Sequence, residues 1–312
     1  MRTAYDVAIV GSGPAGLTAG LYCGRARLKT LILERDNLGG TVVNIEKIEN
    51  WPGVTEDGIE GSELAGNMLG QVMEYDDVVL EGGAELKELV LLDNGLKLIR
   101  TEDAEYTAKA VIIAGGTVPK KLPIKGLEEF SGNGVYYCVL CDGDQFTGKS
   151  IAIIGGGDSG VTGALYMARL GCDITLIEAT PDLNATQILC GQLTENKDVK
   201  ICCSTFADSI EADGKKRVLK MKHTATSDIT SVTVDGIFML AGRDPYTENF
   251  KHLLELDDAG FIKVTPRMET SVPGIYAAGD IRSESAMQVI TAAGDGATAA
   301  IAAEHYINSN NF

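Results

Sequence analysis

Basic side chains are scarce in this chain. Against 44 Asp and Glu, its 312 residues set only 27 Lys and Arg, which leaves a formal charge of -17. With no Lys/Arg-dense stretch to offset it, that charge argues against nucleic acid as a partner. Histidine is scarcer still. His223, His252 and His305 are the whole supply, none at a ligand-like spacing, so no metal is assigned. No apolar run approaches the roughly 18 to 20 residues needed to cross a bilayer. Met1-Arg2-Thr3-Ala4-Tyr5-Asp6 leads straight into an apolar strand without the order of a signal peptide. The expectation is a cytoplasmic protein that meets no membrane. Cysteine occurs seven times, an odd number at irregular spacing, which does not look like a secreted disulfide framework. Cys23, Cys172, Cys190, Cys202 and Cys203 are expected to be reduced thiols in the core or at the surface.

What the chain does have is glycine, 37 residues of it, and a hydrophobic content of 45%. That combination describes a turn-rich globular protein, and the length suggests two domains.

Val7 to Val10 is a short apolar run, followed by Gly11, Ser12, Gly13, Pro14, Ala15 and Gly16 and then a helical pattern through Tyr22. Strand, tight turn and helix in this order make a dinucleotide fingerprint. Its glycines let the backbone turn sharply beside a pyrophosphate, and the helix N-terminus stabilises the phosphate charge. The next strand, Thr30 to Leu33, ends at Glu34, placed to accept hydrogen bonds from the adenosine ribose. Gly39, Gly40 and Thr41 open an irregular stretch that ends at Asn50-Trp51-Pro52-Gly53, a loop able to lay Asn50 against a cofactor ring. Trp51 reads as a neighbour of that ring or, equally, as simple packing. A helix is expected from Gly61 to Tyr75. A hairpin is expected over Val78 to Arg100 around Asp93-Asn94-Gly95, and a buried strand over Ala110 to Ala114, before Gly115 and Gly116.

The pattern then repeats. Ser150 to Ile154 reads as a strand, Gly155-Gly156-Gly157-Asp158-Ser159-Gly160 as the turn, Val161 to Leu170 as a helix and Asp173 to Ile177 as the next strand, with Glu178 where Glu34 stood. A site for NADPH needs a cation near the end of that second strand to hold the 2′-phosphate. Here the chain runs Glu178-Ala179-Thr180-Pro181-Asp182-Leu183-Asn184, and after Arg169 the next basic residue is Lys197. NADPH is therefore disfavoured; NADH fits Glu178 better, and a pure scaffold remains open.

Between the two fingerprints stand Cys138, Val139, Leu140, Cys141, Asp142 and Gly143. Two thiols at this spacing close a small disulfide ring or form half of a zinc site, and the adjacent acid can supply or take the proton of thiol exchange. Their place between two nucleotide units favours redox chemistry with a flavin.

Towards the C-terminus a strand is expected over Val232 to Leu240. Gly274-Ile275-Tyr276-Ala277-Ala278-Gly279-Asp280 reads as a short strand with an acidic end. Met287 to Ala303 reads as a closely packed helix whose N-terminus can stabilise negative charge, and Ile307 to Phe312 as a polar tail ending in an aromatic residue. Phe312 laid over a flavin face would obstruct hydride delivery.

In this order the pieces G-S-G-P-A-G, W-P-G, C-V-L-C-D-G, G-G-G-D-S-G, Y-A-A-G-D and Q-V-I-T-A-A-G resemble the low-molecular-weight thioredoxin reductases across essentially the whole chain. The resemblance implies an α/β fold of two Rossmann-like dinucleotide-binding domains, the second inserted in the first. Residues 1–116 and 246–312 would form the FAD domain, and 117–245 an NAD(P)-binding-like domain carrying the dithiol. It also implies a homodimer and a domain rotation between two half-reactions. In the first, reduced flavin passes two electrons to the Cys138–Cys141 disulfide; in the second, the dithiol reduces thioredoxin. Carried over, Cys141 is the thiol nearest the flavin, Cys138 attacks thioredoxin, and Asp142 is the acid and base. Ser12, Ala15, Glu34, Asn50, Asp280 and Gln288 would line non-covalent FAD, together with Gly11, Gly13, Pro14, Gly16, Gly40, Thr41, Ala114, Gly115, Gly279 and Met287.

The departures concern the donor. NADPH-using members carry His-Arg-Arg and a further Arg where this chain has Glu178, Ala179 and Thr180. Gly160 replaces the usual Ala, Thr41 the usual Gln, Gly115 the usual Thr and Met287 the usual Arg. The chain is thus similar to the atypical branch that lacks NADPH binding, whose members take electrons from ferredoxin or, in some archaea, from a reduced deazaflavin. Lys120, Lys121 and Lys125 are the candidate patch for an acidic ferredoxin, or simply a solvated face. Other readings of the same motifs are an NAD(P)H-dependent reductase, a dithiol oxidase that hands electrons to oxygen, a flavoreductase with an idle cysteine pair, and a redox sensor.

Overall fold

In a computed structural model of the chain, residues 3–310 and 312 are described. The chain divides into two compact units, Met1–Val118 with Asp244–Phe312, and Pro119–Arg243.

The first unit is built on a seven-stranded sheet. Strands Thr3–Val10, Thr30–Glu34 and Val78–Gly82 run parallel; the central one, Thr30–Glu34, is buried along its whole length, and Val78–Gly82 is the partly exposed edge. On the other side of the first strand lies Glu105–Ile113. Its first half pairs antiparallel with Lys97–Arg100, and its last three residues pair parallel with Ile275–Ala277. The strand order therefore reverses beside Thr3–Val10, and in such sheets ligands bind at the carboxyl ends of the strands flanking the reversal. Gly11 leaves the sheet at that point.

Helix Pro14–Arg25 and the C-terminal helix Val289–Ser309 pack on one face of this sheet through small residues, Ala19, Ala299, Ala300 and Ala303 among them. Larger apolar side chains, including Leu31, Ile99 and Phe250, fill the other face.

The second unit repeats the plan. Val199–Cys202, Asp173–Ile177, Ser150–Ile154, Gly236–Met239 and Val135–Tyr136 form an all-parallel sheet in that order, and again the order reverses beside the strand that precedes a glycine loop, at Gly155. A separate antiparallel sheet of Thr205–Asp213, Lys216–His223 and Ile229–Val234 covers one face. Helix Asp158–Arg169 covers the other.

Four expectations need correction. Val78–Gly82 is not half of a hairpin; it is a parallel edge strand, and the hairpin is confined to Glu88–Leu91 and Lys97–Arg100. Gly82 and Gly83, the latter at φ 73°, let the chain leave one pairing before it begins the next. The stretch Val232 to Leu240 is two strands in two sheets. The chain changes sheet at Asp235, whose carboxylate accepts the Ser150 N–H at 3.2 Å while its own N–H donates to Ser150 O at 2.7 Å. The loop opened by Gly40 contains a 3-10 helix, Gly40–Asn44. The C-terminal helix runs on through Ser309, so Ile307 is buried in the core instead of beginning a polar tail. Phe312 lies 5.7 Å from the Tyr306 ring, above the buried Lys97 ammonium and beside Gly95.

Candidate functional site

The first glycine loop has the shape of a phosphate cradle. Gly11 sits at φ 103°, and a Cβ there would collide with the Ala114 carbonyl, just as one on Gly16 would collide with the Gly11 carbonyl. Helix Pro14–Arg25 starts with Gly13 as N-cap, with no side-chain cap and no acid in its first turn. Its leading N–H groups are thus left to an anion. At the end of the second strand, Glu34 is buried, and its Oε2 accepts from Ser12 N at 2.7 Å and from Ser12 Oγ at 2.8 Å. Its Oε1 accepts from Asp36 N at 2.8 Å. Gly39 N donates to Ser12 Oγ at 3.2 Å, which draws Gly40 in beside Gly13.

Segments far along the chain complete this groove. A Cβ on Gly279 (φ 78°) would stand 2.9 Å from that of Ala15, and one on Gly296 would strike the Ala15 carbonyl. Glycine at these two positions therefore lets the C-terminal segment close on the first loop. Asp280 lies in the 3-10 turn Gly279–Ile281. That turn is pinned by buried Asp295 of the last helix, which accepts from Gly279 N at 3.1 Å and from Arg282 Nε at 2.6 Å and Nη2 at 3.1 Å. Between Arg282 and the last helix, Glu284 (φ 57°) and Met287 (φ 52°) adopt the left-handed conformation, which places Gln288 at the helix N-cap. Gln288 Oε1 accepts from Asn50 Nδ2 at 2.9 Å. The cofactor residues read from the sequence, Gly11 to Gly16, Glu34, Gly40, Thr41, Asn50, Ala114, Gly115, Gly279, Asp280, Met287 and Gln288, all belong to this one unit. Sequence reading missed Asp295 and Arg282. An acid between Gly294 and Gly296 in an otherwise apolar helix is the signal that could have found them.

The second loop has the same frame with different contents. Gly155 takes φ 117°, and a Cβ on Gly160 would collide with the Gly155 carbonyl, so the glycine there suits the close turn. Glu178 is buried like Glu34, and its Oε2 accepts from Gly156 N at 2.7 Å. Its Oε1 accepts from Thr180 N and Thr180 Oγ1, both at 2.9 Å, and Asn184 Nδ2 donates to Thr180 Oγ1 at 3.0 Å. The segment after the strand folds back over the loop. Asn184 N donates to Gly156 O at 2.9 Å, Thr186 N donates to Asp158 Oδ1 at 2.7 Å, and Leu183 lies against Gly156. Asp158 puts an acid in the first turn of the helix, where the first loop has Pro14.

In this second unit Cys138 and Cys141 are joined by a disulfide, S–S 2.06 Å and Cα–Cα 5.3 Å. Cys138 is the N-cap of the short helix Val139–Asp142, and its sulfur accepts the Cys141 N–H at 3.1 Å. An N–H aimed at sulfur lowers the cost of a thiolate there once the bond is reduced. Asp142 is half-buried, and burial raises its carboxyl above the ordinary 3.8. The turn is seated on helix Asp158–Arg169, with Gly143 against Met167 and Tyr166 and Val139 against Gly163. Among the described residues no group of three or more His, Cys, Asp or Glu side chains is arranged to hold a metal ion. Cys23 and Cys172 are buried free thiols, and burial pushes Cys23 up to about 12, which makes it inert. Among the described residues no helix is long and apolar enough to cross a membrane.

Two dinucleotide folds with a redox-active cysteine pair define a class, and comparison with known proteins agrees. Residues 5–296 match the family described as pyridine nucleotide-disulphide oxidoreductase. The chain is 38% identical over 304 residues to the thioredoxin reductase of Bacillus subtilis, covering 97% of this chain and 95% of that protein. It is similar in structure to Lactococcus lactis thioredoxin reductase in its FR conformation, with TM-score 0.93, 37% identity and coverage of 98% and 100% of the two chains. It is also similar to T. acidophilum thioredoxin reductase, with TM-score 0.91, 35% identity and coverage of 97% and 99%. The chain belongs to the pyridine nucleotide-disulphide oxidoreductases. Within them it is a flavoprotein disulfide oxidoreductase of the low-molecular-weight thioredoxin reductase kind.

Proposed function

We propose that the chain is an FAD-dependent thioredoxin-disulfide reductase whose electron donor is reduced ferredoxin rather than NADPH. The residues present fit FAD. The uncapped helix N-terminus at Pro14 and the close-packed Gly11 and Gly16 suit a diphosphate. Glu34 suits a ribose, and Asp280, Asn50 and Gln288 suit the ribityl and ring end. Bound FAD would supply an electron pair collected from a one-electron carrier.

The chain's own groups account for the rest. Cys141, the exposed member of the pair, receives the electrons, and Cys138 is released as the thiol. The Cys141 N–H then favours the Cys138 thiolate for attack on a disulfide. Asp142, with its raised carboxyl, holds the proton that the leaving sulfur takes.

One observation carries the choice of donor. At the strand end where a 2′-phosphate needs cations, Glu178, Thr180 and Asn184 form a closed hydrogen-bonded chain without a positive charge. A phosphate dianion brought there meets a buried carboxylate and finds no guanidinium to offset it. Lys120, Lys121 and Lys125 are exposed and offer an acidic carrier a landing place.

The test is anaerobic bleaching of the flavin absorbance by NADPH, NADH, reduced ferredoxin and reduced deazaflavin offered separately. Bleaching by ferredoxin, followed by thioredoxin reduction, is expected. Rapid bleaching by NADPH overturns the reading, as does oxygen uptake driven by a dithiol alone.

A further inference from the structure

The turn that carries the cysteine pair is fastened at its base by aromatic rings. Tyr136, just before Cys138, and Phe146, just beyond Asp142, meet with centroids 5.3 Å apart, and Phe238 of the sheet packs on both at 5.8 and 5.5 Å. Phe146 is buried, and a Cβ on Gly236 would strike its ring. On the leading side, Val135–Tyr136 is also paired into the sheet with Ile237 and Phe238.

Further out, a polar side chain of the turn reaches helix Asp158–Arg169. Asp144 is exposed, and its Oδ1 accepts the Tyr166 hydroxyl at 3.2 Å. The Tyr166 ring serves the same turn, since a Cβ on Gly143 would stand 3.2 Å from Tyr166 Cε1, and the Arg169 guanidinium lies 5.7 Å from the ring centroid. Asp144 is held through its main chain as well. Its carbonyl accepts from Thr147 N at 3.2 Å and from Thr147 Oγ1 at 2.9 Å. An acid that follows Asp142 by one glycine is thus anchored to a neighbouring helix, and the proposed chemistry gives it no task.

A disulfide needs its two sulfurs in contact, whereas two thiols need not touch. Holding the trailing end of the turn in place, while the leading end is held by the sheet, raises the effective concentration of one sulfur at the other and favours the closed pair. A contact equally strong in both redox states would leave that balance alone.

Resting on the reading of Cys138 and Cys141 as the working pair, we infer that the Tyr166–Asp144 bond is a clamp on the redox turn that sets how readily the disulfide opens. Tyr166 and Asp144 are positioning residues; they act through the turn, whichever donor supplies the flavin.

The test reads the pair itself. The full chain is equilibrated without oxygen against mixtures of reduced and oxidised dithiothreitol, and the open fraction of Cys138–Cys141 is read by alkylation and peptide mass. In this exchange the reagent's two thiols close to its ring disulfide as the protein's disulfide opens to two thiols, so electrons and protons balance. Asp144→Ala and Tyr166→Phe are each expected to shift the equilibrium towards the dithiol by about 2- to 10-fold, the worth of one hydrogen bond. The double variant is expected to shift it no further than either single change. Asp144→Asn keeps an oxygen acceptor for the Tyr166 hydroxyl and is expected to stay near wild type. A general loss of stability, equal in the two redox states, would lower the unfolding midpoint and leave this equilibrium unmoved. No shift in the single variants, a shift towards the disulfide, or fully additive shifts overturn the inference. If the wild-type pair does not cycle between disulfide and dithiol, the reading of the pair itself fails, a result distinct from these.

Discussion

Asn50 and Gln288 are 238 positions apart, and the Asn50 side-chain amide donates to Gln288 Oε1 at 2.9 Å. One residue ends the irregular loop after the first nucleotide fingerprint; the other is the N-cap of the last helix. The bond ties the two chain ends of the first unit together where the ring end of a flavin is expected, so the two side chains should act as one. Asn50→Ala and Gln288→Ala, alone and combined, are predicted to show a coupling of about 0.5–1.5 kcal/mol in FAD binding. A double-mutant cycle of dissociation constants measures it, and strictly additive effects would contradict it.

Glu34 and Glu178 should separate under mutation. Each carboxylate takes the N–H of the residue after the first loop glycine and an N–H two positions beyond itself. Removing either leaves buried donors without an acceptor, at a cost of about 1–3 kcal/mol. Glu178→Ala is predicted to lower unfolding stability while FAD affinity stays as it was. Glu34→Ala should lower both. Denaturant titration and flavin titration on the same two variants decide this.

Asp142 should govern the pH profile of thiol exchange. Its carboxyl is raised above 3.8 by burial, so the protonated acid persists to higher pH than an exposed aspartate and is lost as pH climbs through the raised value. A rate that needs this acid falls on that limb. Asp142→Asn is predicted to remove the limb and slow reduction of a disulfide substrate about 10²–10⁴-fold, with the cysteine pair still reducible. The same shift makes ionised Asp142 unfavourable to the fold, so its contribution to stability declines as pH rises from 3.8 through the raised value.

The Arg282–Asp295 pair is predicted to be costly to break. The two side chains are only 16% and 10% exposed, with Nε to Oδ2 at 2.6 Å. Asp295→Asn or Arg282→Ala strands a charge in the core and should destabilise the chain by about 3–5 kcal/mol. A paired apolar replacement should cost less than either single change, read as unfolding midpoints in urea.

Lys97 should make stability rise with alkalinity. It is 1% exposed, its ammonium bonded to Lys109 O at 2.8 Å, Gly95 O at 3.1 Å and Tyr306 Oη at 3.2 Å. Burial lowers it from 10.5 to about 8. Between those values the unfolded chain holds more protons than the native one, so native stability increases from about pH 8 to 10.5. Lys97→Met is predicted to flatten that rise in thermal melts across the window.

Much of this arrangement was legible in the order of residues. Gly11 to Gly16 and Gly155 to Gly160 announce themselves because the turn admits few other residue types, and Cys138 with Cys141 because two thiols at this spacing have few uses. The change of sheet at Asp235 was not legible, since Val232 to Leu240 is apolar on both sides of the break and its cause lies in Ser150, 85 positions away. Lys97 was hidden for a related reason. A lysine in an alternating hairpin reads as an outward residue, and two of the groups that receive its ammonium, the Lys109 carbonyl and the Tyr306 hydroxyl, come from 12 and 209 positions away.

Glutamate at the end of the second strand of a dinucleotide fold is commonly taken as a sign of ribose recognition. Here one chain holds two such glutamates fastened to the backbone by matching bonds, and the second would be kept by the folding of its own loop even if no nucleotide ever visited it. In a duplicated architecture such an acid is an heirloom as readily as a tool. What separates the two copies lies elsewhere: Pro14 against Asp158 at the helix entrance, and Asp36 against Thr180 two residues past the acid. One of these differences sits inside the glycine fingerprint and the other two residues past the acid, so changes of a single side chain can alter what each loop accepts while the outline of the fold stays the same.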